Sequence, residues 1–133
     1  MPFKLAYHLN MVASLSRIIL YVHDVDRLSV FYREAFGFGV VEEIAGEWVV
    51  IEAGTCQLAL HRVGEAYRSK PPTGASNAKL VLTIDAPLAA TREALLARGV
   101  PMGEIKSYAG TGPLCDGRDP EGNVFQLSET PAT

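Results

Sequence analysis

Residues 17–38 lie over residues 79–100 without a gap, at an offset of 62 positions, and a chain that repeats itself this way folds as copies of one supersecondary unit. The match is physical rather than literal. RIILYV and KLVLTI are both strand-like runs rich in branched apolar residues, and each is followed by an acidic residue, Asp24 or Asp85, near the start of a helical pattern. Both helical patterns stop at a glycine in the same repeat position, Gly37 and Gly99, where a left-handed residue ends a helix. The first helix places Val25, Leu28, Phe31, Tyr32, Ala35 and Phe36 on one face at steps of three and four. The second is expected to begin with Pro87 at its first position and to carry Leu88, Leu95 and Leu96 as its apolar stripe.

Three short strand candidates follow each helix, near 39–44, 47–53 and 57–62 in the first half and near 102–107, 113–118 and 123–129 in the second. Gly46, Gly54, Gly110, Gly112 and the Asp119-Pro120-Glu121-Gly122-Asn123 run mark the turns between them. Each half therefore reads β-α-β-β-β, which makes the fold class α+β with two tandem modules related by a pseudo-twofold axis. The expected divisions are an N-terminal extension at 1–15, a module at 16–63, a Gly-, Pro- and Ser-rich linker at 64–78 and a module at 79–130. Odd positions from Phe3 to Met11 are apolar, a period that suits an extra strand, although Met11 is also a second possible start.

Composition narrows the function classes. The 133 residues fit one domain able to bury a core without disulfides, and no apolar run approaches the roughly 18 residues of a membrane span. A formal charge of −3, with no basic stripe, speaks against nucleic acid as a partner. Cys56 and Cys115 lie far apart and outside any C-x-x-C pattern, so they read as reduced core or near-core thiols. The N-terminal residues lack the continuous apolar stretch of a signal peptide, and a cytoplasmic location is expected.

LYVHDVDRLSVFYREAFGF, then QLALH, and finally RDPEGNVFQLSE resemble the vicinal-oxygen-chelate superfamily, which includes glyoxalase I, bleomycin and fosfomycin resistance proteins and extradiol dioxygenases. The resemblance spans about residues 16–130. It implies that the module sheets curl into a curved mixed-sheet cup, that homodimers form, and that metal enzymes of the family take ligands from the first and last strands of both modules. The corresponding positions here are Arg17, Ala59, Lys79 and Gln126, a poor set for a divalent ion: two cations, a methyl group and a weak neutral amide. No metal and no other cofactor is therefore expected.

Strand parity places Arg17, Ile19, Tyr21 and His23 on the concave side, with Gln57, Ala59 and His61, then Lys79, Val81 and Thr83, and Val124, Gln126 and Ser128. The resemblance adds Trp48, Val50, Glu52 and Asp116. Arg17 and Lys79 are repeat equivalents that the pseudo-twofold brings towards each other. They either pair with Glu52 or Asp116, stand exposed at the sheet edge, or capture a ligand carboxylate or phosphate. His61 is the candidate for acid-base work, with Glu52 to orient it; a displaced metal site with His23 and Glu52 is the other catalytic possibility, and a plain hydrogen-bonded histidine the bland one. Trp48, Tyr21 and either Tyr67 or Tyr108 suit an aromatic wall or ordinary packing. Cys115, opposite Asp116 in parity, is expected to face the helices as inert packing.

The favoured expectation is a glyoxalase- or bleomycin-resistance-like protein that binds a small, partly aromatic, anionic molecule in a metal-free cup. Its binding residues would be Arg17, Tyr21, Trp48, Val50, Gln57, Ala59, Lys79, Asp116 and Gln126. The alternatives are a lyase, isomerase or dioxygenase-like enzyme using His61 and Glu52 or an unconventional metal site, and a scaffold with a vestigial cup. The expected partners are a small-molecule ligand and a second copy of the chain, with neither nucleic acid nor membrane.

Overall fold

The computed structural model describes residues 10–110 and 112–129. The expected strand over residues 3–11 lies outside the described residues except for Asn10 and Met11, which are not in a strand. In chain order the elements are β1 (Arg17–Val22), α1 (Val25–Phe36), β2 (Gly39–Ile44), β3 (Trp48–Glu52), β4 (Gln57–Arg62), β5 (Leu80–Ile84), α2 (Leu88–Ala97), β6 (Lys106–Tyr108), β7 (Gly112–Arg118) and β8 (Val124–Glu129). They form two four-stranded sheets, ordered β1-β4-β3-β2 and β5-β8-β7-β6. In each, the first strand pairs in parallel with the last, and the remaining pairs are antiparallel. The β-α-β-β-β unit is thus present twice.

α1 starts where Asp24 accepts a hydrogen bond from the Arg27 amide at 3.0 Å and stops at Gly37, whose φ of 72° is left-handed. Its inner face buries Val25, Leu28 and Tyr32 against Val22, Val49, Ile51, Leu58 and Leu60. The second core gathers Leu88, Leu95, Cys115, Phe125 and Leu127, so Cys115 does face the helix layer. Phe31, Phe36 and Leu80 pack against both clusters, and the Phe36 and Phe125 rings meet edge-on at 5.2 Å. One apolar interior therefore runs through both modules.

The second module departs from expectation in four respects. α2 begins at Leu88, with Pro87 as the residue before it rather than its first. Asp85 supplies no cap; the Leu88 amide instead donates to the Glu129 carboxylate at the end of β8. Leu96 is exposed, because Leu88 and Leu95 are seven residues apart on one face and Leu96 falls off that line. The strand expected at 102–107 forms only at 106–108, preceded by a single bridge from Met102 to Gly117.

The β7–β8 turn joins the modules. Asp119 accepts from the amides of Glu121 and Asn123, both at 2.9 Å, and receives the Tyr32 hydroxyl of α1 at 2.7 Å. Glu121 accepts from the backbone amides of His23 at 2.8 Å and Asp24 at 2.7 Å, which places its carboxylate at the start of α1. The DPEGN run is therefore a clamp between the modules. Burial, then the Asp119 charge, pushes the Tyr32 hydroxyl above the ordinary tyrosine range, so it remains a donor.

Candidate functional site

Parity along β1 works as the alternation requires: Ile18, Leu20 and Val22 pack inward, while Ile19 and Tyr21 stand open, Tyr21 with 65% of its surface exposed. On this face the Arg17 guanidinium donates to the Gln57 side-chain oxygen at 2.8 and 3.2 Å and lies 5.6 Å from the centre of the Trp48 ring. The Gln57 amide in turn donates to Glu52 at 3.3 Å. Trp48 meets the His61 ring edge-on at 5.6 Å and gives its indole hydrogen to Glu42 at 2.6 Å, while Tyr21 lies 5.1 Å from His61 on the other side. Arg17, Tyr21, Trp48 and His61 thus share one open patch with Gln57 and Glu52 at its end.

Val50 and Ala59 also belong to this face, yet both are 0% exposed. They pair in the middle of the sheet, where Arg17 and Trp48 reach towards each other from opposite ends. Their burial leaves Arg17 and Trp48 as the more accessible side chains of this face. The expected His61–Glu52 partnership is not formed. Glu52 pairs with Gln57 and Trp48 with His61, so the two lie four residues apart along antiparallel strands, roughly 13 Å at strand rise. The His61 Nδ1 is instead 2.7 Å from its neighbouring Arg62 carbonyl.

The second sheet carries a different group. Lys79 donates to Asp116 at 3.0 Å, and the Gln126 amide donates to the other carboxylate oxygen at 3.0 Å. Partial burial alone would raise the Asp116 carboxyl, but the hydrogen bonds from Gln126 and Lys79, with the charges of Lys79 and Lys106, hold it below the usual carboxylate range. The group borders a depression of about 200 Å3 flanked by Lys106 and Tyr108. Cys115, on the reverse of the strand, has its thiol pushed up by burial and donates weakly to the Gly103 carbonyl at 3.3 Å, the state of an inert thiol.

The repeat-equivalent cations therefore find partners inside their own modules, Arg17 a neutral amide and Lys79 a carboxylate. Of the tyrosines, Tyr67 in the linker lines a cavity together with Tyr21, while Tyr108 lies on β6 in the other sheet. The donors at the family's ligand positions do not suit a metal ion, since Arg17 and Lys79 are engaged as hydrogen-bond donors and Ala59 is a buried methyl group. The displaced alternative fails on geometry: His23 lies 3.4 Å from Glu121 and Glu52 contacts Gln57, and no group of three or more His, Cys, Asp or Glu residues among the described residues is placed to hold a metal. Sequence reasoning passed over Glu42 and Lys106. Both sit on strands whose exposed character blurs the two-residue alternation, and only pairing registers reveal their neighbours.

Residues 17–128 match a family described as a glyoxalase-like domain. The chain belongs to this family. Its relatives include the glyoxalase domain-containing protein RDO1 of Mycosarcoma maydis, 28% identical over 124 residues that cover 88% of this chain and 68% of that protein. Among solved structures, the fosfomycin resistance protein FosX of Listeria monocytogenes superposes with a TM-score of 0.73 at 15% identity, covering 91% of this chain and 96% of that one. The antibiotic-binding protein TnmS3 of Streptomyces sp. CB03234 does so at 0.69 and 22% identity, with 90% and 98% covered. Both share the two-module glyoxalase-like fold. No helix among the described residues is long and apolar enough to cross a membrane.

Proposed function

We propose that this glyoxalase-like protein is a small-molecule binder that takes a partly aromatic anion on the concave face of its first module, without a metal ion. The observation that carries the reading is the Arg17 guanidinium held over Trp48 by a neutral partner, Gln57, with no carboxylate in salt-bridge contact among the described residues. A cation positioned in this way retains its capacity for a charge-assisted bond, and the flanking Tyr21, Trp48 and His61 rings offer flat surfaces to a planar ligand. Lys79 is already neutralised by Asp116, so it contributes less. The same open faces favour a homodimer, in which a second copy covers apolar side chains such as Ile19 and Val81. The existence of antibiotic-binding and resistance proteins with this fold supports the class of ligand but does not choose it.

The test is titration of benzoate- and naphthoate-type anions against the emission of Trp48, the single tryptophan of the chain. Arg17→Ala is expected to weaken a hit by about tenfold or more, the loss of one charge-assisted hydrogen bond, with Lys79→Ala changing it little. Equal binding by wild type and Arg17→Ala would remove the concave-face reading.

A further inference from the structure

A cavity opens beside the Tyr21 end of the concave patch, at the seam where the linker passes between the ends of β1 and β4 and the β7–β8 turn. Its volume is about 500 Å3, and Tyr21, His23, Tyr67, Lys70, Gly74 and Glu121 are among the residues that line it. That volume falls within the range of about 300–1,000 Å3 typical of small-molecule sites. The linker wall is fastened rather than draped. Arg68 donates to the Val63 carbonyl at 3.0 Å, and the His23 Nε2 lies 3.1 Å from the Tyr67 carbonyl, which makes this nitrogen the donor. Gly74, left-handed at φ +64°, presses against Gly122 so closely that a β-carbon there would stand 2.5 Å from the Gly122 carbonyl oxygen.

The polar groups of this cavity are not balanced. Glu121, its carboxylate, is already satisfied by the His23 and Asp24 amides and faces the His23 Nδ1 at 3.4 Å. Glu121 also occupies the amides at the start of α1, leaving them unavailable to a ligand. Lys70 has no carboxylate in salt-bridge contact among the described residues; its ammonium lies 5.7 Å from the centre of the Tyr67 ring. What remains open is one cation, two tyrosine rings and the Pro71-Pro72 surface. We infer that the seam is a second binding site, adjoining the concave face at Tyr21 but built on the linker, for a planar aromatic carboxylate whose ring packs on Tyr67 and the prolines and whose charge meets Lys70.

Backbone amide shifts measured by nuclear magnetic resonance during titration with 2-naphthoate test this. Shifts that saturate across residues 64–75 are expected. They should weaken by about tenfold in apparent affinity in Lys70→Met and persist in Arg17→Met. On the wild-type protein, neutral 2-naphthamide should bind the same residues about tenfold more weakly, a comparison that needs no variant to fold. The inference is overturned by shifts confined to the concave strands, by no shifts at millimolar ligand, by Lys70→Met titrating like wild type, or by the amide binding as tightly as the acid. Shifts on the concave strands that vanish in Arg17→Met would leave the proposed function standing while removing the seam site.

Discussion

Tyr32 is fully buried, and its hydroxyl reaches a carboxylate, Asp119, that is itself almost without solvent contact. Removing the hydroxyl takes a charge-assisted hydrogen bond from a buried acceptor without changing the packing of the ring. Tyr32→Phe is therefore expected to cost about 2 kcal/mol of stability, read as a lower midpoint in urea with an unchanged slope. Asp116 gives a weaker effect of the opposite visibility. Its carboxyl is held low in the folded chain, so its contribution is present above the ordinary carboxylate pKa and lost as pH falls through the folded value. With 41% of the Lys79 side chain and 46% of the Asp116 side chain exposed, solvent screens the pair, and the loss should amount to about 0.5 kcal/mol. Stability curves from pH 7 down to 3 should show this component in wild type and not in Asp116→Asn.

At the scale of elements, the β1–α1 corner of one module depends on the β7–β8 turn of the other. Glu121 is 8% exposed and accepts two backbone amides that would otherwise lack partners at the head of α1. Glu121→Ala is expected to destabilise by about 2 kcal/mol and to speed amide hydrogen exchange at His23 and Asp24 before the rest of α1. Uniform exchange behaviour along α1 would show that the clamp is not what holds this corner. The neighbouring strand shows a steric constraint of the same origin. A β-carbon at Gly117 would run into the Phe125 ring and the Met102 sulfur, so the bridge between Met102 and Gly117 requires a residue with no side chain.

For the whole molecule, the open faces and edges set the expected assembly. β2 is exposed along its whole length, with Val40, Val41 and Ile44 in contact with solvent, and Val81 on β5 is 57% exposed. Strand edges and apolar surface of this kind are ordinarily covered. Light scattering at micromolar concentration is expected to give twice the chain mass of 14.4 kDa, and a mass of one chain would remove the proposed homodimer.

The repeat, the strand parity of β1 and the end of α1 at Gly37 were legible in the sequence because each rests on local physics: alternation, helical spacing and the freedom of glycine at positive φ. Parity also placed Cys115 on the core side and Asp116 on the other. It could not say that Arg17 would reach over Trp48 or that Val50 and Ala59 would be fully buried, because long side chains choose their partners across strands rather than along them. Nor could it separate Glu52 from His61, a matter of pairing register, or show that the DPEGN turn clamps α1. Those contacts join residues as many as 98 positions apart, and distance along the chain carries no information about which charges meet once the modules dock. Local pattern was enough for the two modules and the faces of most strands; docking decided which of the two repeat-equivalent cations met a carboxylate, Lys79 with Asp116, because only the folded chain brings that carboxylate within reach.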